Sequence, residues 1–418
     1  MPNYVAGVGP LEPKLMIIGE APGKNEDEAG IPFVGASGEM LNEFLSSAGI
    51  SRNDCYITNV VKYRPPNNDL KKLNLIGVDI AEQIRLLWDN EIRVLRPNCI
   101  LAVGDTALNA VTNLSGILNY RGSILLANDG KTKVVPTIHP AALMNRSGYG
   151  EEGNGALPYV YTKLMQSDIS RAVEEAAKSD LSLPIRQLDV ANNSLDVFRF
   201  FREYEHLSKA TMDIESINCI PVCIGFAFNK FHAISIPLLR RVGKVELTGM
   251  GPNELNECWK IIDQSLRRLD LIGHNLKYDE FKLSLSGFRC SSILSDTLIK
   301  TRVIFPELPD KRLCTVASLW TREPYYKDEG KEFKIGKSPV EQLFKYNAKD
   351  CAVEFEVDEE QEVDLHELGD KYNVDMHWYY YEYQMKKHKL YLKMENNGFA
   401  VDSNRQKELQ IKYTKLEE

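Results

Sequence analysis

Short apolar runs alternate with segments of helical period over the first 180 residues. KLMIIGE, CYITNVV, CILAVG and KVVPTI are brief and rich in β-branched side chains, the pattern of strands. Between them, SGEMLNEFLSSAG and IAEQIRLLWDNEIRVL repeat apolar positions at helical spacing, and TKLMQSDISRAVEEAAK closes the region near residue 178. Strands alternating with helices predict an α/β fold, a parallel sheet between helical layers that receives ligands at its strand ends. The polar stretch SDLSLPIRQLDVANNS is expected to be a linker. From about residue 185, ATMDIES, CIPVCIGFAF and FHAISIPL predict an antiparallel meander, followed by a helix and the strand-like LIGHN. Residues 340–363 predict a helix, and a long helical pattern from about 378 breaks at NNGFAVD. The expected division is therefore 1–180, 185–370 and a short helical segment over 371–418.

Composition agrees with two or three globular domains. The chain has 418 residues, 43% hydrophobic and 26% charged. No apolar run approaches the roughly 20 residues of a membrane span, and the N-terminus lacks the basic and apolar parts of a signal peptide. A net charge of -8 excludes a generally basic coat for nucleic acid but is compatible with a local basic groove. The eight cysteines are Cys55, Cys99, Cys219, Cys223, Cys258, Cys290, Cys314 and Cys351, with no C-x-x-C among them. Cys219 and Cys223 lie in an apolar run and suit a core. This pattern predicts a reduced, cytoplasmic protein with no membrane partner.

Residues 19–38, GEAPGKNEDEAGIPFVGASG, carry the densest chemical signal. Glycines directly after a strand let backbone approach a ligand closely. The segment does not fit the G-x-x-x-x-G-K-[ST] pattern of a phosphate-cradling loop and is acidic instead. Glu20, Glu26 and Phe33 fit a pocket for a neutral planar group, with a ring to stack on it and carboxylates to act on it.

YITNVVKYRPPNN (56–68), ILAVGDTALNAV (100–111) and VVPTIHPAAL (134–143) follow in order. Together with the first segment they resemble the family-four uracil-DNA glycosylases, over most of residues 11–180. The resemblance implies that Glu20 orients or activates water or stabilises a cationic sugar. It implies that Glu26 stands beside the C5 edge of the base; the plain alternative is a helix-start carboxylate. Phe33 would stack on the flipped base. Asn59, with both a donor and an acceptor, would read the O4/N3 edge. His139 would donate to the departing uracil anion, and Asn68 would position water or the DNA backbone. One departure is clear. The family's iron–sulfur cluster needs four cysteines, two of them upstream of the first glycine-rich segment. Residues 1–18 hold none, Tyr63 takes the third position, and IAEQIRLLW lacks the fourth. No iron–sulfur cluster is expected. The segment 148–161, GYGEEGNGALPYVY, reads as an inserted acidic loop.

A second constellation follows. Asp213 and Glu215 are two apart in a predicted strand and so share a face. Asn275 and Asp279 are four apart, as are Tyr346 and Asp350, which on a helix means one face. Converging carboxylates suit Mg²⁺ or Mn²⁺, and two such ions about 4 Å apart clamp both oxygens of a phosphodiester displacement. The order D-x-E, N-x-x-x-D, Y-x-x-x-D, with SDTLI at 295–299, resembles the 3′→5′ proofreading exonucleases of the DNA polymerase I family over roughly 185–365. The resemblance implies a ribonuclease H-like fold, two metal ions on Asp213, Glu215, Asp279 and Asp350, and Asp296 as a supporting acid. It also implies that Tyr346 polarises the attacking water and that Asn275 fixes a turn or contacts the nucleotide. The basic run KEFKIGK (331–337) would follow single-stranded backbone. LYLKMENNGFAVD resembles the start of that family's polymerase domain; no palm or fingers sequence follows, so a polymerase domain or subunit is an expected partner.

The sequence thus predicts two DNA-processing modules, acting on uracil-containing DNA and on single-stranded 3′ ends. An alternative stays open: the first module senses uracil, or docks on DNA or a partner protein, without cutting.

Overall fold

A computed structural model describes residues 2–144, 156–217, 220–308, 310–331, 333–334, 336–398 and 400–417. The predicted acidic loop lies outside these residues except for 156–161, as does Cys219, and KEFKIGK lies only partly within them.

The first sheet contains β1 (Leu15–Gly19), β2 (Cys55–Asn59), β3 (Cys99–Val103), β4 (Leu125–Leu126) and β5 (Lys133–Thr137), in the order β2-β1-β3-β5-β4. All neighbours are parallel except β4, which runs antiparallel to β5. The strands are apolar on both faces, and the period of two splits them cleanly. Leu15, Ile17, Leu101 and Val135 pack against Leu41, Leu45, Met165 and Ile169. Met16, Ile18, Ile100 and Val134 pack on the other side against Leu87, Trp88 and Val111. Two cores, one on each face, make this an α/β/α sandwich, and each fully buried aliphatic side chain contributes about 1.5–3 kcal/mol. Because β1, β2, β3 and β5 all point the same way, Glu20, Asn59, Gly104 and His139 meet at one edge.

The second sheet is larger. Its order is β13-β12-β7-β8-β9-β6, with β6 (Gln187–Val190), β7 (Lys209–Ile217), β8 (Ile220–Asn229), β9 (His232–Pro237), β12 (Asp270–Gly273) and β13 (Ser292–Asp296). A small hairpin, β10 (Arg241–Val242) and β11 (Val245–Glu246), stands apart. The meander β7-β8-β9 is antiparallel, as expected, and β12 continues the sheet parallel to β7. Met212 and Ile214 face a core with Val197, Phe200, Ile262 and Leu266. Asp213 and Glu215 therefore face the opposite side, where the helix Val340–Tyr372 crosses β7, β8 and β9. That helix sits close to the sheet because position 225 is glycine. A Cβ there would lie 2.6 Å from Cys351 Sγ and 2.7 Å from Asn347 Oδ1. The second unit is thus the expected α/β arrangement, a mixed sheet with the long helix across one face.

Three local expectations change. The predicted linker is partly sheet: Gln187–Val190 pairs parallel with β9. It is polar because it is an edge strand, and Asp189 meets His232 Nε2 at 2.8 Å. The helix predicted to end near 363 runs on to Tyr372, where Leu365 packs with Tyr380 and Met385 and Asn373 caps it in the left-handed region, φ 52°. Asn275 is not helical either. It is the N-cap of Leu276–Leu285, with φ 64°.

The two units also touch away from the chain connection. Arg121, in a buried ion pair with Asp168, donates to Ser318 Oγ at 3.2 Å. Arg171 donates to the Ser318 carbonyl at 2.7 Å, and Arg322 pairs with Glu175 at 2.5 Å. Val160 and Leu164 share a core with Leu308.

Candidate functional sites

A cavity of about 530 Å³ opens at the carboxyl edge of the first sheet. Glu20, Glu26, Phe33, Asn59, Asn68 and His139 all line it. Gly19 makes the assembly possible. It pairs with Asn59 across β1 and β2, and a Cβ on it would come within 2.5 Å of both Asn59 Oδ1 and the Phe33 ring.

Phe33 takes a φ of 53°, uncommon for an aromatic residue. Its neighbours hold it there. Arg52 donates to the Phe33 carbonyl at 2.7 Å and to the Pro32 carbonyl at 2.5 Å. Glu26 accepts from the backbone N–H groups of Gly23 (3.0 Å), Val34 (3.1 Å) and Gly35 (2.8 Å). Both Glu26 oxygens are thus engaged in clamping the loop that presents the ring. Glu26 lines the cavity at the same time, so the contacts of a helix-start carboxylate and a place beside the pocket are combined in one residue. The Phe33 and His139 rings lie 6.1 Å apart at 26°.

His139 has a defined tautomer. Ala141 N–H donates to its Nδ1 at 3.1 Å, so Nδ1 carries no proton. Burial lowers the imidazole pKa, against the opposing pull of Glu20 and Glu26. The neutral ring therefore keeps its hydrogen on Nε2, a donor. Glu20 is half-buried and accepts from Thr106 Oγ1 at 2.5 Å. Asn59 is buried at the end of β2. Asn68 is exposed, with its Oδ1 held by Arg64 at 3.0 Å.

The positions corresponding to cluster ligands are filled by other chemistry. Tyr63 packs edge-on against Tyr4, with ring centroids 5.5 Å apart, and Val5 N–H bonds the Lys62 carbonyl at 2.9 Å. Lys62 forms a buried ion pair with Glu91. Cys55 and Cys99 belong to the sheet core, where burial pushes both thiols up to about 12. These residues do not make a ligand set for an iron–sulfur cluster, which is held by thiolates.

The second site lies between β7 and the long helix. Ligand oxygens of Asp213, Glu215 and Asp350 lie within 4.8 Å of one another. Asp279 stands beside them, accepting from Ile214 N–H at 3.1 Å. Burial raises the pKa of Asp213 to about 7, with Asp350 adding to it, and that of Glu215 to about 9, with Asp213 and Asp350 adding. Burial pushes Asp279 well above the carboxylate range, and Asp213 reinforces it. So many buried acids demand a compensating cation. Lys327 supplies part of that charge, meeting Asp350 at 2.5 Å and Tyr346 Oη at 2.9 Å. Burial alone would lower the Lys327 pKa, but Asp350 holds it up. The donor set is all oxygen, and one oxygen of the buried Glu354 has no partner; both observations fit Mg²⁺ or Mn²⁺.

Tyr346 borders a cavity of about 330 Å³ together with Glu215, Arg312 and Lys327. The structure does not bring Asn275 or Asp296 into the acid trio. Asp296 is the cap of Thr297–Ile304 and also accepts from Asn275 (3.1 Å) and Leu276 (2.9 Å) N–H. It braces the start of the helix that carries Asp279. Asn275 opens instead on a separate cavity of about 440 Å³ with Lys277, Arg302 and Tyr391.

Sequence reasoning missed four residues here. Glu354 lies one helical turn beyond Asp350, is buried, and has its pKa raised first by burial, then by Asp213 and Asp350. Its i+4 spacing was a usable signal. Asn347 donates to Asp213 Oδ2 at 2.8 Å. Tyr326 donates to Asp350 at 2.5 Å. For Tyr326 and Lys327 the sequence offered no signal, because they reach the site from a loop.

Two kinds of known protein are similar to this chain. Residues 6–154 match the uracil DNA glycosylase superfamily. The type-4 uracil-DNA glycosylase of Archaeoglobus fulgidus is 38% identical over 160 residues, which is 36% of this chain and 76% of that protein. Its counterpart from Thermotoga maritima is 40% identical over 151 residues, 35% of this chain and 74% of that protein. Through its first unit, the chain belongs to the type-4 uracil-DNA glycosylase family. A DNA polymerase of Bacillus phage SP01 is 25% identical over 447 aligned positions, spanning 99% of this chain and 46% of the polymerase. The chain thus matches just under half the length of that relative along nearly its whole extent. Among the described residues no helix is long and apolar enough to cross a membrane.

Proposed function

We propose that the chain excises uracil from DNA with its first unit and removes nucleotides from single-stranded 3′ ends with its second. The observation that carries the first activity is the gathering of Glu20, Phe33, Asn59, Asn68 and His139 around one 530 Å³ cavity in a chain of this family. In this reading a flipped uracil stacks on Phe33, and the Asn59 amide reads its polar edge. His139 Nε2–H stabilises charge developing on the departing base, and Glu20 orients water or stabilises the sugar cation. Glu26 acts at one remove, by holding the Phe33 loop.

For the second activity, Asp213, Glu215, Asp279 and Asp350 would hold two Mg²⁺ or Mn²⁺ ions, with Glu354 beside them. The ions would polarise the phosphodiester and lower the pKa of water. Tyr346 positions that water, and Lys327 and Arg312 face the phosphate backbone. The domains proposed are 1–180, 185–370 and 371–418, the last leading towards a polymerase domain or subunit, as the SP01 relative supports.

One experiment tests both parts. A uracil-containing single strand is incubated with protein in EDTA, which silences the exonuclease, and abasic sites are revealed by alkali. A parallel reaction with Mg²⁺ follows loss of the 3′ nucleotide from a uracil-free strand. Abasic sites in EDTA together with Mg²⁺-dependent 3′ loss are expected. Uracil-selective binding without base release would replace excision by sensing, and 3′ loss in EDTA would overturn the two-metal assignment.

A further inference from the structure

The long helix carries a second cluster of ligating groups, three turns beyond Asp350. Glu362 and His366 are four apart on this helix and so lie on one face. After the Asn373 cap the chain doubles back, and His377, on the short helix Met376–Trp378, returns to the same place. Ligand atoms of Glu362, His366 and His377 all lie within 4.8 Å of one another. Glu362 Oε1 stands 2.9 Å from His377 Nε2 and 4.0 Å from His366 Nε2. The two imidazoles are nearly parallel, 5.6 Å apart at 28°.

The other Glu362 oxygen is already committed. Lys300 Nζ, on a fully buried side chain, donates to Oε2 at 3.1 Å, and Tyr381 Oη donates to it at 2.8 Å. Tyr381 also packs its ring on His377 at 4.4 Å. One carboxylate oxygen is thus anchored by outer partners while its twin faces two imidazole nitrogens. Outer donors that orient a ligating carboxylate are half the construction of a metal site.

We propose that Glu362, His366 and His377 bind a transition-metal dication of the Zn²⁺ type. Two imidazoles and one carboxylate suit Zn²⁺ and Co²⁺, whereas Mg²⁺ prefers the all-oxygen trio around Asp213. The bound ion closes a loop between the helix that bears Asp350 and the helices that follow it. It acts as a staple at the junction with residues 376–397. The plain alternative is a surface histidine–carboxylate pair that binds no metal.

The test uses the full chain with saturating Mg²⁺, so that the acidic trio is occupied. Equilibrium dialysis against micromolar Zn²⁺ should leave one Zn²⁺ per chain. H366A and H377A should lose it, with unchanged far-ultraviolet circular dichroism, while D213A keeps it. Independently of any variant, Co²⁺ loading of the natural chain should produce visible absorption and shifted imidazole proton resonances. No bound Zn²⁺, Zn²⁺ retained by both histidine variants, or Co²⁺ without imidazole shifts would each overturn the proposal.

Discussion

Both sites stand on carboxylates beside a sheet, yet the two treat those carboxylates in opposite ways. In the first, the acids have protein donors. Glu26 accepts three backbone N–H groups, and Glu20 accepts a threonine hydroxyl. Beside them His139 is driven towards neutrality by desolvation. In the second, five carboxylates crowd together, and burial has pushed Asp213, Glu215, Asp279 and Glu354 upward. A loop rich in turns offers several backbone donors to one carboxylate; β7 spends most of its own in the ladder and lends Ile214 N–H to Asp279. The first site is therefore complete as a protein site. The second requires a cation, and Lys327 meets only part of that need.

The sharpest way to break this contrast is metal removal. EDTA, or Asp213→Ala, should drop 3′→5′ degradation to the assay background and leave uracil release at the natural rate. Parallel loss of both activities would join the two sites into one. Next in size is His139→Ala, expected to slow base release by about 10²–10³-fold, the scale of one preorganised donor, with 3′ degradation untouched. Single-turnover rates in EDTA read this directly.

Glu26→Gln should have a smaller effect, because the amide oxygen can still accept from Val34 and Gly35, without charge, while the amide nitrogen gives up the contact with Gly23 N–H. A hydrogen bond to a charged group is worth about 1.5–3 kcal/mol against about 1 for a neutral one. The expected result is roughly tenfold weaker binding of uracil strands, mirrored by Phe33→Ala, with base release per bound strand little altered. Strong loss of chemistry with intact binding would instead place Glu26 at the reacting atoms.

The smallest expected effect is on stability. The Asp213 and Glu215 pKa values are raised in the folded chain, so the fold favours their protonated forms. Below pH 4 this costs nothing. As pH rises through about 7 and about 9, the acids ionise against the fold and stability falls. Metal-free protein should thus melt at lower temperature at pH 9 than at pH 6. Added Mg²⁺ should stabilise the fold more at pH 9, by about 2.7 kcal/mol at a hundredfold excess over Kd, and raise the melting temperature accordingly. A pH-independent Mg²⁺ effect in scanning calorimetry would argue against ion binding at these acids.

Much of both sites was legible in the residues. GEAPG after an apolar run marked a strand feeding a pocket, and D-x-E on an alternating strand put two acids on one face. Legibility failed where a role depended on what else was nearby. Glu26 could be recognised as a pocket residue, but its engagement by Val34 and Gly35 required the loop to fold back over eight and nine residues. Asn275 and Asp279 had helical spacing, yet the left-handed φ of Asn275 takes it off the helix. Gln187–Val190 has a linker's composition and becomes a strand only because β9 has a free edge beside it.

By itself, then, the chain's local pattern determined the central strands of the two sheets, their order along the sequence and the residues at their carboxyl ends, since periodicity and turn chemistry act over a few positions. Only the tertiary structure decided which acids are satisfied and which are crowded, that Lys327, Tyr326 and Asn347 attend the second site, and that Arg121 and Arg171 tie the two units together. Those outcomes depend on burial and on groups brought together from distant positions, and a short stretch of sequence specifies neither.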